Sequence, residues 1–302
     1  MSNSADLSER KAIAAWRDLP RTRFETLDVK PLTPTLGAEV TGVDFSALTD
    51  AQFSEIRQAL LENAVLIFRD APFDRETHKA FARRFGRLHR HVLAGAAAAD
   101  GIAHDPEILA WRTDATSSYV VGGDWHHDVT CDESPLWLSL LRLPGQPPGG
   151  GGDTAFANMV LAYETLSDSL KTYLEGLTAI HDGAKPWTAA YGIALPAGKT
   201  FPKAEHPLIV RHPYTGRKLL FVNTGFTTRI PQLTRRESDA LLNLLFEHVA
   251  HGLTFQARFR WEPDSLLVWD NWATQHHAVW DYFPEPRHGE RVSVLIETPP
   301  RR

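Results

Sequence analysis

What is scarce in this 302-residue chain narrows its class before any motif does. A single cysteine, Cys131, excludes an internal disulfide and fits a reducing, cytoplasmic setting. No apolar run approaches the ~20 residues that a membrane-spanning helix needs. Residues 1–20 are polar and charged and lack the apolar core of a signal peptide. No excess of basic charge is present: the net charge is −5, which argues against a nucleic-acid partner. The glycine run ending at Gly152 is not followed by Lys-Ser/Thr, so it is not a phosphate loop. No internal repeat is visible. What remains, 43% hydrophobic and 23% charged, is an ordinary soluble composition, sufficient for one large domain or two small ones.

Two short segments far apart carry the chemistry. The first is Trp125-His126-His127-Asp128-Val129-Thr130. On a strand, residues i and i+2 point to the same side, so His126 and Asp128 would converge while His127 faces away. On a helix they would diverge by roughly 200°. Val129 and the nearby Tyr119, Val120 and Val121 favour extended structure. His-x-Asp alone is more often a hydrogen-bonding pair than a metal site.

The second segment is Thr274-Gln275-His276-His277, after the apolar strand 266–268 and Trp269-Asp270-Asn271. Two His and one Asp on one face of a metal leave other positions open, as in non-haem Fe(II) oxygenases. Spacing does not choose between His276 and His277. Arg287 and Arg291 follow at offsets of 11 and 15 residues from His276. A guanidinium grips a carboxylate with paired hydrogen bonds, so these two suit a dicarboxylate and an anionic substrate beside the metal.

The rest of the chain reads as many short strands with a few helices. Thr49 with Gln52, and Thr234 with Glu237, form capping boxes for helices over 51–63 and up to about residue 251. Asp74 caps a helix that stops before Gly86. Residues 65–68 and 136–143 read as strands, and 161–176 as one helix. Residues 92–118 and 183–206 read as loops over a pocket mouth. Cys131 is either a pocket residue or a small buried hydrophobe. His181, His206, His212, His248 and His251 read as surface or satisfied core residues.

Several stretches together resemble the TauD/TfdA group of Fe(II)- and 2-oxoglutarate-dependent dioxygenases. They are Leu36-Gly37-Ala38-Glu39-Val40-Thr41-Gly42, Phe85-Gly86-Arg87-Leu88-His89, the segment 125–130, Gly151-Gly152-Asp153-Thr154, Phe221-Val222-Asn223, Gly225-Phe226-Thr227-Thr228-Arg229, and 269–291. Their order and spacing match over about residues 24–298. The resemblance implies a mainly β fold with appended helices around a double-stranded β-helix, the jelly roll also used by cupins. It implies one domain over 23–302; the polar extension before it, 1–22, falls outside the resemblance and is expected to be mobile or to contact another subunit. A homo-oligomer, dimer or tetramer, is expected.

The resemblance also assigns residues. It makes His126, Asp128 and His276 the iron ligands, its Thr-Gln-His pattern choosing His276. It gives Thr154 and Arg287 to the distal carboxylate of 2-oxoglutarate. Arg291 and His91 would hold the substrate anion, Arg291 also lying near the cosubstrate. Val129 and Phe226 would line the pocket, with the Val129 N–H helping to bind the anion. The chain departs from the family where taurine's amine is bound. A Tyr, an Asn and a Ser position appear as Ala94, Gly122 and Pro186, the last beside Trp187. Polar groups left unpaired in a dry pocket cost about 1–3 kcal/mol each, so an ammonium should be rejected. The expected substrate is a small organic anion, a sulfonate or sulfate ester with an apolar tail near Ala94, Cys131, Trp187 and Phe226. With O2, its hydroxylation would release sulfite or sulfate and an aldehyde, with succinate and CO2. Two other readings remain: the same chemistry on taurine, an aryloxyalkanoate or another carboxylate, and a zinc hydrolase or non-enzymatic metal-binding barrel with the same three ligands.

Overall fold

The computed structural model describes residues 7–69, 71–90, 105–190, 192, 198, 200–296 and 299–301. Its centre is the apolar strand Leu266–Asp270, buried along its whole length. That strand pairs antiparallel with Val65–Phe68 on one side and with Leu136–Gly145 on the other. The strand Arg287–Leu295 adds next, and Leu109–Thr113 closes that edge of a seven-stranded sheet. A three-stranded sheet carries Gln256–Phe259, Thr154–Asn158 and Thr274–Ala278 in that order. The two sheets meet through aromatic side chains. Trp269 of the large sheet lies 5.7 Å from Phe156 of the small one, ring centre to ring centre, and 4.8 Å from His276. This is the sandwich of a jelly roll, each sheet burying one face against the other.

Helices brace the large sheet. Asp50–Asn63 starts with the Thr49/Gln52 capping box, and Arg75–Arg83 with Asp74 accepting from the Thr77 N–H. Phe45, Phe53, Phe68, Phe73, Phe81 and Phe85 meet edge to face under them, the preferred geometry of aromatic quadrupoles. Arg235–Ala250 begins at the Thr234/Glu237 box.

Three expectations need correction. Residues 161–176 form two helices, Met159–Glu164 and Asp168–Leu174. The Asn158 side chain starts the first one early, and Ser167 caps a second start after the break. The span 92–118 is not all loop: Leu109–Thr113 is a strand whose backbone groups pair with Arg287–Arg291. The span 183–206 contains a π-helical turn, Lys185–Ala190, and most of the strand Lys203–Pro207. Within the segment 1–22, the helix Leu7–Arg17 docks on the body. Trp16 drives this. Its indole is buried in the main core, with the guanidinium of Arg217 4.7 Å from its ring centre.

Candidate metal centre and cosubstrate site

His126, Asp128 and His276 come together. Their potential ligand atoms all lie within 4.8 Å of one another, the only such group of metal-binding side chains among the described residues. Asp128 Oδ1 stands 3.7 Å from His126 Nε2 and 3.9 Å from His276 Nε2. Adjacent ligands on one ion sit about 3 Å apart when each bond is about 2.1 Å, so closure needs movements of under about 1 Å.

The convergence arises differently from the strand predicted for 126–128. His126 makes a single bridge to His276: its N–H donates to the His276 carbonyl at 3.1 Å, and its carbonyl accepts from the His276 N–H at 2.9 Å. The chain then turns at once, with Val129 at φ 52°. This conformation is unfavourable for a β-branched residue, and strain of this kind costs about 1–3 kcal/mol. Asn271 holds the turn. Its Oδ1 accepts from the Asp128 N–H at 2.7 Å, and its Nδ2 donates to the carbonyls of Asp128 and Leu136, both at 3.1 Å.

Each candidate ligand is oriented from behind. The His126 Nδ1–H donates to the Asp124 carbonyl at 2.7 Å, leaving Nε2 as the lone-pair nitrogen. Gly122 and Gly225 press on this histidine from two sides. A Cβ added at Gly122 would lie 3.1 Å from His126 Cε1, and one at Gly225 2.9 Å from His126 Cβ. His276 is packed by Phe156 and Trp269. Ser139 donates to Asp128 Oδ2 at 3.0 Å and pairs with Ser293 at 2.9 Å. Asp128 Oδ1 also accepts a short hydrogen bond from Arg291 Nη1.

The charges suit a divalent cation. Burial raises the Asp128 carboxyl, but the Arg291 guanidinium, the two imidazoles and Ser139 outweigh it and hold the group well below the usual carboxylate range. Burial pushes His126 and His276 down, so both are neutral at pH 7, as metal ligation requires. His127 faces away and packs on Phe221, its rings 4.9 Å apart.

Arg287 and Arg291 lie four residues apart on one strand and share a face, about 13 Å between Cα atoms. Arg287 is almost wholly buried, at 2% exposure. Its Nη2 donates to the Gly152 carbonyl at 3.0 Å. Among the described residues nothing accepts from Arg287 Nε or Nη1, nor from Arg291 Nε. A buried guanidinium without acceptors is costly, and a carboxylate satisfies it with paired bonds. The dicarboxylate 2-oxoglutarate fits this donor set, and the His-Asp-His group fits Fe(II). Thr154 is buried, and its Oγ1 accepts from Trp261 Nε1 at 3.2 Å, which leaves its own proton free to donate.

An apolar cluster adjoins the site. Val129, Cys131, Leu136, Trp187 and Phe226 pack together, with Phe201 and Leu295 against them. Val129 follows Asp128 directly, and Leu295 lies on the strand of Arg291 and Ser293. Burial pushes the Cys131 thiol up, so it behaves as a small hydrophobe within this cluster. His91 and Ala94 lie outside the described residues. His181, His206 and His212 are buried and hydrogen-bonded, as satisfied core residues.

Asn271, Ser139, Ser293, Asp124, Trp261 and Gly225 were given no role by sequence reasoning. A signal existed for the serines: each is a small polar residue flanked on both sides by apolar residues of its strand, and each is buried.

Comparison with known proteins agrees with this geometry. The profile of the taurine catabolism dioxygenase TauD, TfdA family matches residues 28–293. An alpha-ketoglutarate-dependent sulfonate dioxygenase of Saccharomyces cerevisiae is 34% identical over 286 residues, covering 90% of this chain and 68% of its own. An alpha-ketoglutarate-dependent sulfate ester dioxygenase of Pseudomonas putida is 32% identical, covering 90% of this chain and 91% of its own. A solved taurine dioxygenase from Burkholderia xenovorans superposes with a TM-score of 0.76 at 35% identity, over 91% of this chain and 93% of that one. The chain therefore belongs to the TauD/TfdA family and is a 2-oxoglutarate-dependent dioxygenase that uses Fe(II) and O2 on a jelly-roll scaffold.

Proposed function

We propose that this enzyme hydroxylates the carbon next to the sulfonate or sulfate ester group of an organic anion with an apolar tail. One atom of O2 enters that C–H bond and the other leaves in succinate, with CO2. The hydroxylated carbon then collapses to an aldehyde, and the C–S or C–O bond breaks to release sulfite or sulfate. In this reading His126, Asp128 and His276 hold the iron, which supplies the oxygen-activating chemistry when bound.

The protein's part is binding, orientation and exclusion of water. Arg287 and the free proton of Thr154 hold the distal carboxylate of 2-oxoglutarate. Arg291 offsets the charge of Asp128 and offers Nε to the anionic groups beside it. His91 and the Val129 N–H complete the grip on the substrate anion. The alternation of charge keeps the site near neutral, since two bound anions would otherwise outweigh the cation.

The observation that carries the substrate reading is the cluster of Val129, Cys131, Trp187 and Phe226 directly after Asp128. Its own side chains offer carbon and aromatic faces to a substrate tail. Pro186 is buried beside Trp187, and Gly122 supplies no side chain. The sulfonate and sulfate ester dioxygenases among the relatives act on substrates of the same anionic class. Succinate formation should be compared between taurine, an alkylsulfonate of five or six carbons, the matching alkyl sulfate, and an aryloxyalkanoate. Faster turnover of the alkyl organosulfur compounds, with equimolar sulfite or sulfate, supports the proposal. A clear preference for taurine or for the carboxylate would refute it. The family's dimer or tetramer and a cytoplasmic location remain part of this proposal, alongside the chain's lack, among described residues, of a helix able to cross a membrane.

A further inference from the structure

The glycine-rich turn before Thr154 is pressed against Arg287. Gly150, Gly151 and Gly152 have φ of 84°, 86° and 70°, three successive left-handed residues. Only glycine adopts that conformation at low cost. Close approach adds a second requirement. A Cβ at Gly152 would lie 2.9 Å from both Cδ and Nε of Arg287, and one at Gly151 2.7 Å from Asp281 Oδ1.

The turn is pinned from outside. The Gly152 N–H donates to Asp281 Oδ1 at 2.8 Å, while the Gly152 carbonyl accepts from Arg287 Nη2 at 3.0 Å. Asp281 Oδ2 accepts from Arg258 Nη2 at 2.8 Å. Arg258 Nε donates to Asp153 Oδ2 at 2.6 Å, beside Thr154. One guanidinium, Arg258, thus ties both ends of a peptide unit whose carbonyl aims a second guanidinium, Arg287. The Gly152 N–H, the largest of several causes, lowers the pKa of Asp281, which is therefore ionised at neutral pH.

We propose that Arg258 and Asp281 are positioning residues that, through Gly152, aim Arg287 at the distal carboxylate of 2-oxoglutarate. This rests on the role given to Arg287 above and adds the device that fixes it. Arg287 needs such a device because none of the described residues accepts from its Nε or Nη1. The Gly152 carbonyl is the backbone acceptor that orients it, and the Tyr282 side chain, with its ring 5.8 Å away, also interacts with the guanidinium. Arg258 and Asp281 are themselves about half exposed, so their ion pair contributes little to overall stability. Small errors in aim matter far more to a bidentate contact than to folding.

The test compares two ligands of the anaerobic Fe(II)-loaded protein by calorimetry. One is 2-oxoglutarate. The other is 2-oxopentanoate, which has the same keto-acid head and a methyl in place of the distal carboxylate. Asp281→Ala should lower the preference for 2-oxoglutarate by about two- to tenfold, the worth of one hydrogen bond. Binding of 2-oxopentanoate and of Fe(II) should not change. Gly152→Ala should lower the preference more, and Arg258→Ala should lower it as Asp281→Ala does. Equal weakening of both ligands, or no change in the preference for Asp281→Ala, would overturn the proposal. An Arg287→Ala protein that keeps the wild-type preference would instead overturn the role of Arg287, and this proposal with it.

Discussion

Removing the Asn271 side chain should damage the metal site without touching a ligand. Asn271 is fully buried and makes three hydrogen bonds to backbone: from the Asp128 N–H, and to the carbonyls of Asp128 and Leu136. In Asn271→Ala these three buried groups lose their partner at once. Each costs about 1–3 kcal/mol when left unsatisfied. Partial relaxation and entry of water reduce the sum, so a loss of about 3 kcal/mol is expected. The same bonds hold the turn at Val129 in its strained conformation. Their loss frees Asp128 to leave the position that it shares with His126 and His276. Groups that orient a ligand from behind are typically worth 10–100-fold in metal affinity. Urea unfolding of the metal-free protein and anaerobic Fe(II) titration measure the two effects separately. Asn271→Asp keeps an acceptor for the Asp128 N–H but donates to neither carbonyl, and should fall between wild type and Asn271→Ala in Fe(II) affinity. If Asn271→Ala loses under about 1 kcal/mol and binds Fe(II) normally, the assignment of this turn to Asn271 is wrong.

Two further outcomes follow from the same structure. Trp261→Phe keeps an aromatic ring but removes the donor to Thr154 Oγ1; KM for 2-oxoglutarate should rise by roughly two- to tenfold with little change in Tm, and an unchanged KM would show that Thr154 needs no orienting. His78 is fully buried, bonded to the Leu140 carbonyl at 3.2 Å, and lowered to about 3, chiefly by burial. Its folded pKa lies below its unfolded value, so its contribution to stability is complete above about pH 6.5 and is lost as pH falls toward the folded value. Between about pH 7.5 and 5.5 the wild type should lose roughly 1 kcal/mol more than His78→Gln in urea unfolding, and parallel pH profiles would contradict this.

How far the sequence reached can be judged residue by residue. Helix starts at Thr49, Asp74 and Thr234 were legible because caps are local: donor and acceptor sit within three residues. The meeting of His126, Asp128 and His276 was also foreseen, but for the wrong local reason. A strand was expected at 126–128, whereas the chain makes one bridge and then turns at Val129. A β-branched residue with positive φ is a poor turn signal, and what holds it there is Asn271, 142 positions later in the chain. Long-range partners of this kind have no local pattern. Arg258, Asp281 and Trp261 were invisible for the same reason, and the strand Leu109–Thr113 exists because Arg287–Leu295 offers it an edge. Trp16 shows another case: a single large apolar residue in a polar segment packs into the core and docks a helix.

The central claim is that three side chains hold one ferrous ion beside a bound keto-diacid. Anaerobic Fe(II) titration of the wild type and of His126→Ala, Asp128→Ala and His276→Ala, each followed by admission of O2 and 2-oxoglutarate with a succinate assay, tests it most directly. The account predicts one Fe(II) per wild-type chain, succinate only when Fe(II) and O2 are both supplied, and loss of binding and turnover in Asp128→Ala. An Asp128→Ala protein that binds Fe(II) as the wild type does and still makes succinate would contradict it.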